Sequence, residues 1–434
     1  MNVVICLNPF LSHYIPTIVM ANRMKELGHN VTYIGFSDMQ SRVKSDGFEY
    51  YPIATCNNND LVKLQQQHEY GMLEKLYHEL HTEITEIVER CQTDLVLIGI
   101  SRFIVYLQVA FSMNKKVVLY SLCAGIPYFN TINPPVTSSH IPNGKKSVDI
   151  KSIFHWALRF LRKGLSPYML QSRFYYPWAN IKKQCKERGI KWKFGIDGFF
   201  PDLPILSFGS VYFEFNRVTN PVYAGLSINY IDNEQEPEIY LPFTKKDNPL
   251  IYCCLGTMRK RYLNSEAFIN AVIEVFKLNP QWNLVLSLGK KGDSLSTEVL
   301  SDNIYIVDYI NQQSILQKAD LMLTHSGYGT VKECIFYGVP MIACSCSYDQ
   351  HGNAARVQKN GIGISSTIMK KTVQQKVFHN GTKNIEPASI KKLIEEALYN
   401  TNYHDNICEL RRKIITDNEL SDTIQFLESM IYSK

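Results

Sequence analysis

The sequence predicts an α/β protein of two doubly wound parallel-sheet domains that face each other across a cleft. Three observations carry this. At 434 residues the chain exceeds one ordinary core, so two domains of about 200 residues each are expected. Apolar strands alternate with amphipathic helices from the N-terminus onward, and the same alternation restarts after a polar break near residue 230.

Taken in order, "NVVICL" reads as a buried strand, "IPTIVMANRMKELG" as a helix closed by Gly28, and "NVTYIGF" as the next strand. Residues 61 to 90 read as a long polar helix. Glu74, His78 and His81 share one face of it, which without a further ligand reads as solvated and not as a metal site. "TDLVLIGI" and "KKVVLYSL" continue the sheet. The stretch "NYIDNEQEPEIYLPFTKKDNP" is acidic, then basic, and holds three prolines, as a linker does. After it come "LIYCCLGT", a helix from about 265 to 278, "WNLVLSLG", "NIYIVDYI", "ADLMLTHSG" and "VPMIACS". The expected division is 1–228, a linker at 229–248, 249–415, and a last helix in 416–434 that packs back on the first domain.

A hydrophobic content of 45% with 20% charged residues excludes a disordered or fibrous chain. The formal charge of +6 does not imply nucleic acid, and no zinc-finger, Arg-rich or RNA-binding signature supports it. Eleven cysteines, several in apolar runs such as "IYCCLG" and "MIACSC", read as buried thiols of a reducing compartment. The start "MNVVICLNPF" lacks a basic region and has too short an apolar run for a secretion signal, so the expectation is cytoplasmic. The longest apolar stretch, "LVLIGISRFIVYLQVAF", is interrupted by Ser101, Arg102 and Gln108, and reads as a core strand and helix.

Chemistry concentrates in "LTHSGYGTVKE", residues 323 to 333. Glycines let backbone N–H groups approach a ligand, a helix N-terminus carries partial positive charge, and His325 adds a donor. An anion site follows, most naturally for phosphate. A plain strand-to-helix turn, capped by Thr330 with Glu333 as its capping-box partner, fits these eleven residues equally well.

The neighbourhood decides between them. From about 303 to 363 the chain resembles the donor-binding signature of family 1 glycosyltransferases, which use nucleotide-diphosphate sugars on GT-B folds of two Rossmann-like domains. "NPFLSHYIPTIVMANRMKELGHNVTYIG", "VYAGL" and "IYCCLGT" extend the resemblance, and only residues 125 to 200 lack a match. The resemblance implies that His325, Gly327, Gly329 and Thr330 hold the diphosphate, with Tyr328 also in the donor site, that Glu333 takes the ribose hydroxyls, and that Tyr309 and Gln312 sit at the base. Gly256 and Thr257 would close over the phosphates. Asp349 and Gln350 would bind sugar hydroxyls, with Asn353 one turn later; a carboxylate and an amide suit a ring of hydroxyls, accepting and donating together. Asn311, Tyr328 and Gly329 replace the usual proline, tryptophan and asparagine.

By the same resemblance His13 in "SHYIP" is the candidate general base. An imidazole suits proton transfer near neutrality. The aspartate that orients this histidine in many members is missing: "DLVLIGISRF" carries Gly99, Ile100 and Ser101, with Asp94 at the wrong end of the strand. Ser101, a water or an acid from elsewhere would orient His13, or the acceptor is acidic enough to need little help. No Asp-x-Asp occurs, so a metal-independent, inverting transfer is expected, with no cofactor beyond the donor. The sugar is expected to be a hexose, glucose by analogy, carried on UDP.

Residues 151 to 193 hold eleven Lys and Arg against the single acid Glu187, interleaved with aromatics. "SIFHWALRFLRKG" puts Ile153, Trp156, Ala157, Phe160 and Leu161 on one helical face. This stripe fits a helix lining an acceptor pocket, with Trp156, Phe160 and Phe129 as candidate contacts, or a helix lying on an anionic membrane. The pocket is preferred, and a hydrophobic or aromatic small-molecule acceptor fits either. The expected partners are thus a UDP-sugar and that acceptor, with no nucleic acid, and a monomer or weak dimer. Two other readings stand beside transfer: a binding protein that has lost the chemistry, and a sugar-nucleotide epimerase of the same architecture.

Overall fold

The computed structural model describes residues 1–57, 70–100, 104–144, 148–164, 176–196, 198–228, 241–243, 247–256, 259, 262, 264–289, 297–366 and 385–432. Two seven-stranded sheets organise it. The first contains β1 (Asn2–Cys6), β2 (Asn30–Phe36), β3 (Glu49–Ile53), β4 (Leu95–Gly99), β5 (Lys116–Ser121), β8 (Ile205–Ser207) and β9 (Val222–Tyr223), in the order β3-β2-β1-β4-β5-β8-β9. Its pairings are all parallel. A separate hairpin joins β6 (Trp192–Gly195) to β7 (Gly198–Pro201).

The second sheet contains β10 (Leu250–Cys254), β11 (Asn283–Ser287), β12 (Thr297–Ser301), β13 (Ile304–Val307), β14 (Leu321–Thr324), β15 (Met341–Cys344) and β16 (Gly363–Ser366), ordered β12-β13-β11-β10-β14-β15-β16. Only the edge pair β12–β13 is antiparallel. In both sheets the strand order reverses beside the first strand, and ligands of such sheets bind at the carboxyl ends there. These strands read as continuous apolar runs because helices cover both faces; β4, β10 and β15 are buried along their whole length.

The helices are α1 (Leu11–Glu26), α2 (Gln40–Ser45), α3 (Tyr70–Arg90), α4 (Ile104–Ser112), α5 (Ile150–Gly164), α6 (Tyr176–Glu187), α7 (Ser265–Leu278), α8 (Gln312–Leu316), α9 (Tyr328–Tyr337), α10 (Gln350–Lys359), α11 (Pro387–Tyr399), α12 (Thr401–Thr416) and α13 (Glu419–Tyr432). None of the described helices is long and apolar enough to cross a membrane. The long apolar stretch resolves into β4 and α4, and all eleven cysteines are free thiols. The expected helix at 61–90 is described from Tyr70 to Arg90; its earlier part lies outside the described residues, as does most of the expected linker. The described residues hold no cluster of metal ligands.

α1 starts earlier than its sequence suggested, at Leu11, and carries Pro16 inside. His13 therefore sits in a helical first turn, its amide bonded to the Phe10 carbonyl at 2.8 Å, and not in a loop. Gly28, at φ +83°, closes the helix in the left-handed conformation that glycine tolerates.

α13 returns to the first sheet. Thr423 donates to the Tyr223 carbonyl at 2.8 Å, the N-terminal amine donates to Tyr432 at 2.9 Å, and Ile424 and Leu427 join the core of Val3, Ile5 and Tyr14. At its start, the Glu419 carboxylate accepts the Val211 amide at 2.7 Å. Burial pushes this carboxyl up to about 7, with the Val211 and Ser210 hydrogen bonds and Arg217 opposing, and Asp417 adding to the rise. A carboxyl raised in the fold gives its full stability below the ordinary value of 4.5, and that contribution is lost as pH rises through about 7. Glu419→Gln keeps an acceptor for Val211 and removes the buried charge. Its melts should match wild type near pH 4 and gain on the order of 1–3 kcal/mol at pH 8; an equal shift at both pH values would refute the assignment.

Candidate functional site

β10 and β14 lie side by side, with Cys254 opposite Thr324, and the chain leaves both strands at the point where the sheet order reverses. Gly256 follows the first and His325 the second. The imidazole is held between glycines: a Cβ on Gly256 would lie 2.7 Å from His325 Cε1, and one on Gly327 would lie 2.6 Å from Nε2. Gly256 also adopts φ +74°, so both its freedom and its missing side chain are used. Between them Ser326 takes φ +65°, uncommon for a residue with a side chain. Two bonds hold it there: its amide donates to Thr324 Oγ1 at 3.1 Å, and Asn353 Nδ2 donates to its carbonyl at 2.9 Å.

The cap of α9 is Gly327, which makes no side-chain cap bond, and Thr330 lies inside the helix. The capping-box alternative therefore fails, and the first-turn amides are left for an anion. A Cβ on Gly329 would meet open space. Burial pulls His325 down to about 4, the backbone of Cys254 opposing, so at neutral pH the ring is uncharged and offers a single N–H donor.

One turn along α9, Gln312 from the start of α8 donates to Thr330 Oγ1 at 3.1 Å and to Glu333. Burial raises the Glu333 carboxyl, with the Gln312 hydrogen bond and Lys332 opposing. Asn311, at the place of the usual proline, is the cap of α8 and accepts from Gln313 at 3.0 Å and Ser314 at 3.4 Å. Tyr309, three residues before Gln312, leaves 44% of its surface exposed.

Three expected contacts are placed differently. Tyr328 is turned away from the first turn of α9: its ring stacks on Phe213 at 5.9 Å and its hydroxyl lies against Gly209 of the first domain, so only its amide faces the anion position. Gln350 spends its side chain on the loop, accepting from Cys346 and Ser347 at 2.9 Å each and donating to Tyr262 at 2.9 Å. Asn353 is fully buried and bridges Ser326 to Asp349, 3.0 Å from the carboxylate. It positions Asp349 and is closed to a sugar. Thr257 and Ser101 lie outside the described residues.

Across the cleft, His13 has a partner that the sequence reading missed. Asn8, buried at the end of β1, lies with its side-chain nitrogen 3.0 Å from His13 Nδ1, and the Phe10 ring packs 5.4 Å from the imidazole. A polar residue closing an apolar strand five positions before the histidine was the available signal. An amide occupies a place beside Nδ1 where a carboxylate was sought.

Phe129, Trp156 and Phe160 do come together. They line a cavity of about 840 Å³ with Tyr128, Ile153 and Phe194. Trp156 is anchored by its indole N–H to the Asn133 carbonyl at 2.9 Å, and Phe129 and Phe194 meet it edge-on. The loop between β5 and the cavity touches the second domain: Cys123 hydrogen-bonds Asp349, and a Cβ on Gly125 would lie 2.6 Å from the Arg356 guanidinium. The same loop reaches the cavity at Phe129, so one segment spans from the Asp349 corner to the apolar pocket.

Residues 263–399 match the model of the glycosyltransferase family 28 C-terminal domain. Oleandomycin glycosyltransferase of Streptomyces antibioticus is 34% identical over 114 residues, 26% of each chain. NDP-glycosyltransferase YjiC of Bacillus subtilis (strain 168) is 23% identical over 361 residues, 82% of each chain. Among solved structures, the glycotransferase of kitacinnamycin superposes with a TM-score of 0.68 at 16% identity, covering 98% of both chains, which shows a shared fold. A C-terminal match, a relative aligned along most of the chain and an architecture shared from end to end make this chain similar to glycosyltransferases and give it the GT-B fold.

Proposed function

We propose that the chain transfers a hexose, glucose by analogy, from a UDP-sugar to a hydroxyl of a hydrophobic or aromatic small molecule, with inversion and in the cytoplasm. The observation that carries this is the fixed His325, locked between Gly256 and Gly327 at the open end of α9, with Gln312, Thr330 and Glu333 gathered one turn away. The diphosphate would take the α9 amides and the His325 N–H, and Glu333 the ribose hydroxyls. As the glycosidic bond to the diphosphate breaks, charge grows on the leaving oxygen, where a preorganised donor and a helix dipole are worth most. Asp349, held by Asn353, takes a sugar hydroxyl.

On the other side, the acceptor oxygen attacks the anomeric carbon and its proton passes to Nε2 of His13. That requires the Nδ1–H tautomer; the Asn8 nitrogen stands 3.0 Å from Nδ1 and as placed holds the idle tautomer, so the reading takes the amide turned to present its oxygen there. A neutral amide orients the ring yet stabilises the imidazolium less than a carboxylate would.

Calorimetry with UDP tests the donor site. His325→Ala and Glu333→Ala should each weaken binding about tenfold or more, the scale of one charge-assisted hydrogen bond lost. Gly327→Ala should do the same by pushing the imidazole aside. Unchanged affinity in all three would end this reading. A donor screen read by mass separates UDP from dTDP and glucose from other hexoses.

The missing Asp-x-Asp gives a further expectation: turnover in EDTA equals turnover without it. Loss restored by Mg²⁺ or Mn²⁺ would mean that the diphosphate is neutralised by a cation and not by His325 and α9 alone.

A further inference from the structure

α5 is oriented unlike an ordinary surface helix. Its inward direction is set by Ser152 and Trp156, at 0% and 1% exposure. The opposite direction of a 3.6-residue helix falls on Ile150, Phe154 and Leu161, and these are the side chains that solvent meets: Ile150 is 79% exposed, Phe154 59% and Leu161 54%. The solvent face is thus apolar. Along one flank stand the exposed Lys151 and Arg162, with Lys163 beyond them. Along the other, Phe160 and Ala157 turn into the apolar cavity, whose wall also includes the half-exposed Phe129 and, at the edge of the outward face, Leu161.

An outward apolar stripe bordered by cations is the arrangement of a helix lying in a bilayer interface, with its apolar residues among the acyl chains and its cations at the headgroups. We propose that α5 docks this face on an anionic membrane. Charge decides against a second copy as the occupant: α5 carries Lys151, Arg159, Arg162 and Lys163 and no acid, so two such helices brought face to face would oppose like charges. An anionic surface supplies the missing counter-charge. Resting on the reading of the cavity as the acceptor site, docking sets the cavity wall against the bilayer, and the acceptor is then a lipophilic alcohol dissolved in the membrane.

Vesicle sedimentation of the full chain, without donor sugar, tests the docking by itself. Wild type should sediment with vesicles of phosphatidylcholine and phosphatidylglycerol, should stay in solution with phosphatidylcholine alone, and should be released as salt is raised. Ile150→Ser with Phe154→Ser should lower partitioning roughly a hundredfold, near tenfold for each side chain withdrawn from the interface. Neither residue lines the cavity, so that variant should transfer sugar to a soluble phenol at the wild-type rate. Lys151→Glu with Arg162→Glu should abolish the preference for anionic vesicles. The proposal is overturned if wild type ignores anionic vesicles, if the serine variant sediments as well as wild type, or if light scattering shows a dimer that the serine variant dissolves. Failure of docking leaves the transfer reading standing, and failure of transfer leaves the sedimentation result standing.

Discussion

Replacing His13 by alanine is expected to lower transfer to an aliphatic alcohol about 10²- to 10⁴-fold while leaving UDP affinity unchanged. The two halves of that result come from separate parts of the molecule. His13 sits in the first turn of α1 beside the first sheet, whereas His325, Gln312 and Glu333 belong to the second. The size of the loss should depend on the acceptor, because a base matters less as the hydroxyl becomes more acidic. On a phenol series of falling pKa, the ratio of wild-type to His13→Ala rates should shrink steadily. With the Asn8 oxygen turned to Nδ1, Asn8→Ala should reproduce a smaller loss in kcat with little change in KM, since it releases the productive tautomer and leaves the imidazole in place; a gain in kcat would mean that the nitrogen faces Nδ1. Asn8→Asp should recover the rate and raise it most for poor acceptors, where imidazolium stabilisation is needed. Equal, small losses across the series for His13→Ala would mean that the ring only shapes the pocket.

Much of this was legible in the chain because local chemistry determines it. Strands buried on both faces must be continuous apolar runs, so β1, β4, β10 and β14 stand out in the sequence. The glycines around His325 are legible for a related reason, since only glycine admits an imidazole at 2.6–2.7 Å from its Cβ position. What stayed hidden depends on partners distant in sequence. Tyr328 faces Phe213 and Gly209 because the two domains meet there, and nothing within "HSGYGT" encodes that. Gln350 bonds Cys346 and Ser347 because the loop after β15 turns back on its own amides. The stripe on α5 has the right period, yet period alone does not say which side of a helix faces in. Ser152, polar and fully buried, sets the orientation, and it is the residue a hydropathy pattern would have placed outside.

Arg356→Met is expected to destabilise the protein by about 3–5 kcal/mol, the cost of leaving a buried carboxylate without its counter-ion. Glu214 and Arg356 are 3% and 1% exposed, and the guanidinium reaches the carboxylate from Nη2 at 2.8 Å and from Nε at 3.0 Å. Glu214 follows the turn Val211–Phe213 of the first domain, and its second oxygen accepts the Gly125 amide at 2.6 Å. Arg356 stands on α10, two turns from Asp349, and its guanidinium lies 4.2 Å from the Phe215 ring. The pair therefore ties the loop that leads to the apolar cavity to the helix that begins after Asp349. Two close approaches depend on the same joint: the missing Cβ of Gly125 against Arg356, and that of Gly352 against the Val136 carbonyl. Urea unfolding checks the cost. Adding Glu214→Gln to Arg356→Met should restore much of the loss, because the penalty lies in the orphaned charge more than in the bond itself. A loss below about 1 kcal/mol for the single variant would be the behaviour of a solvated surface pair, and would show that water reaches this joint. With the joint broken and the fold retained, UDP should still bind through the second sheet while kcat falls, since the acceptor loop would no longer be held against Asp349.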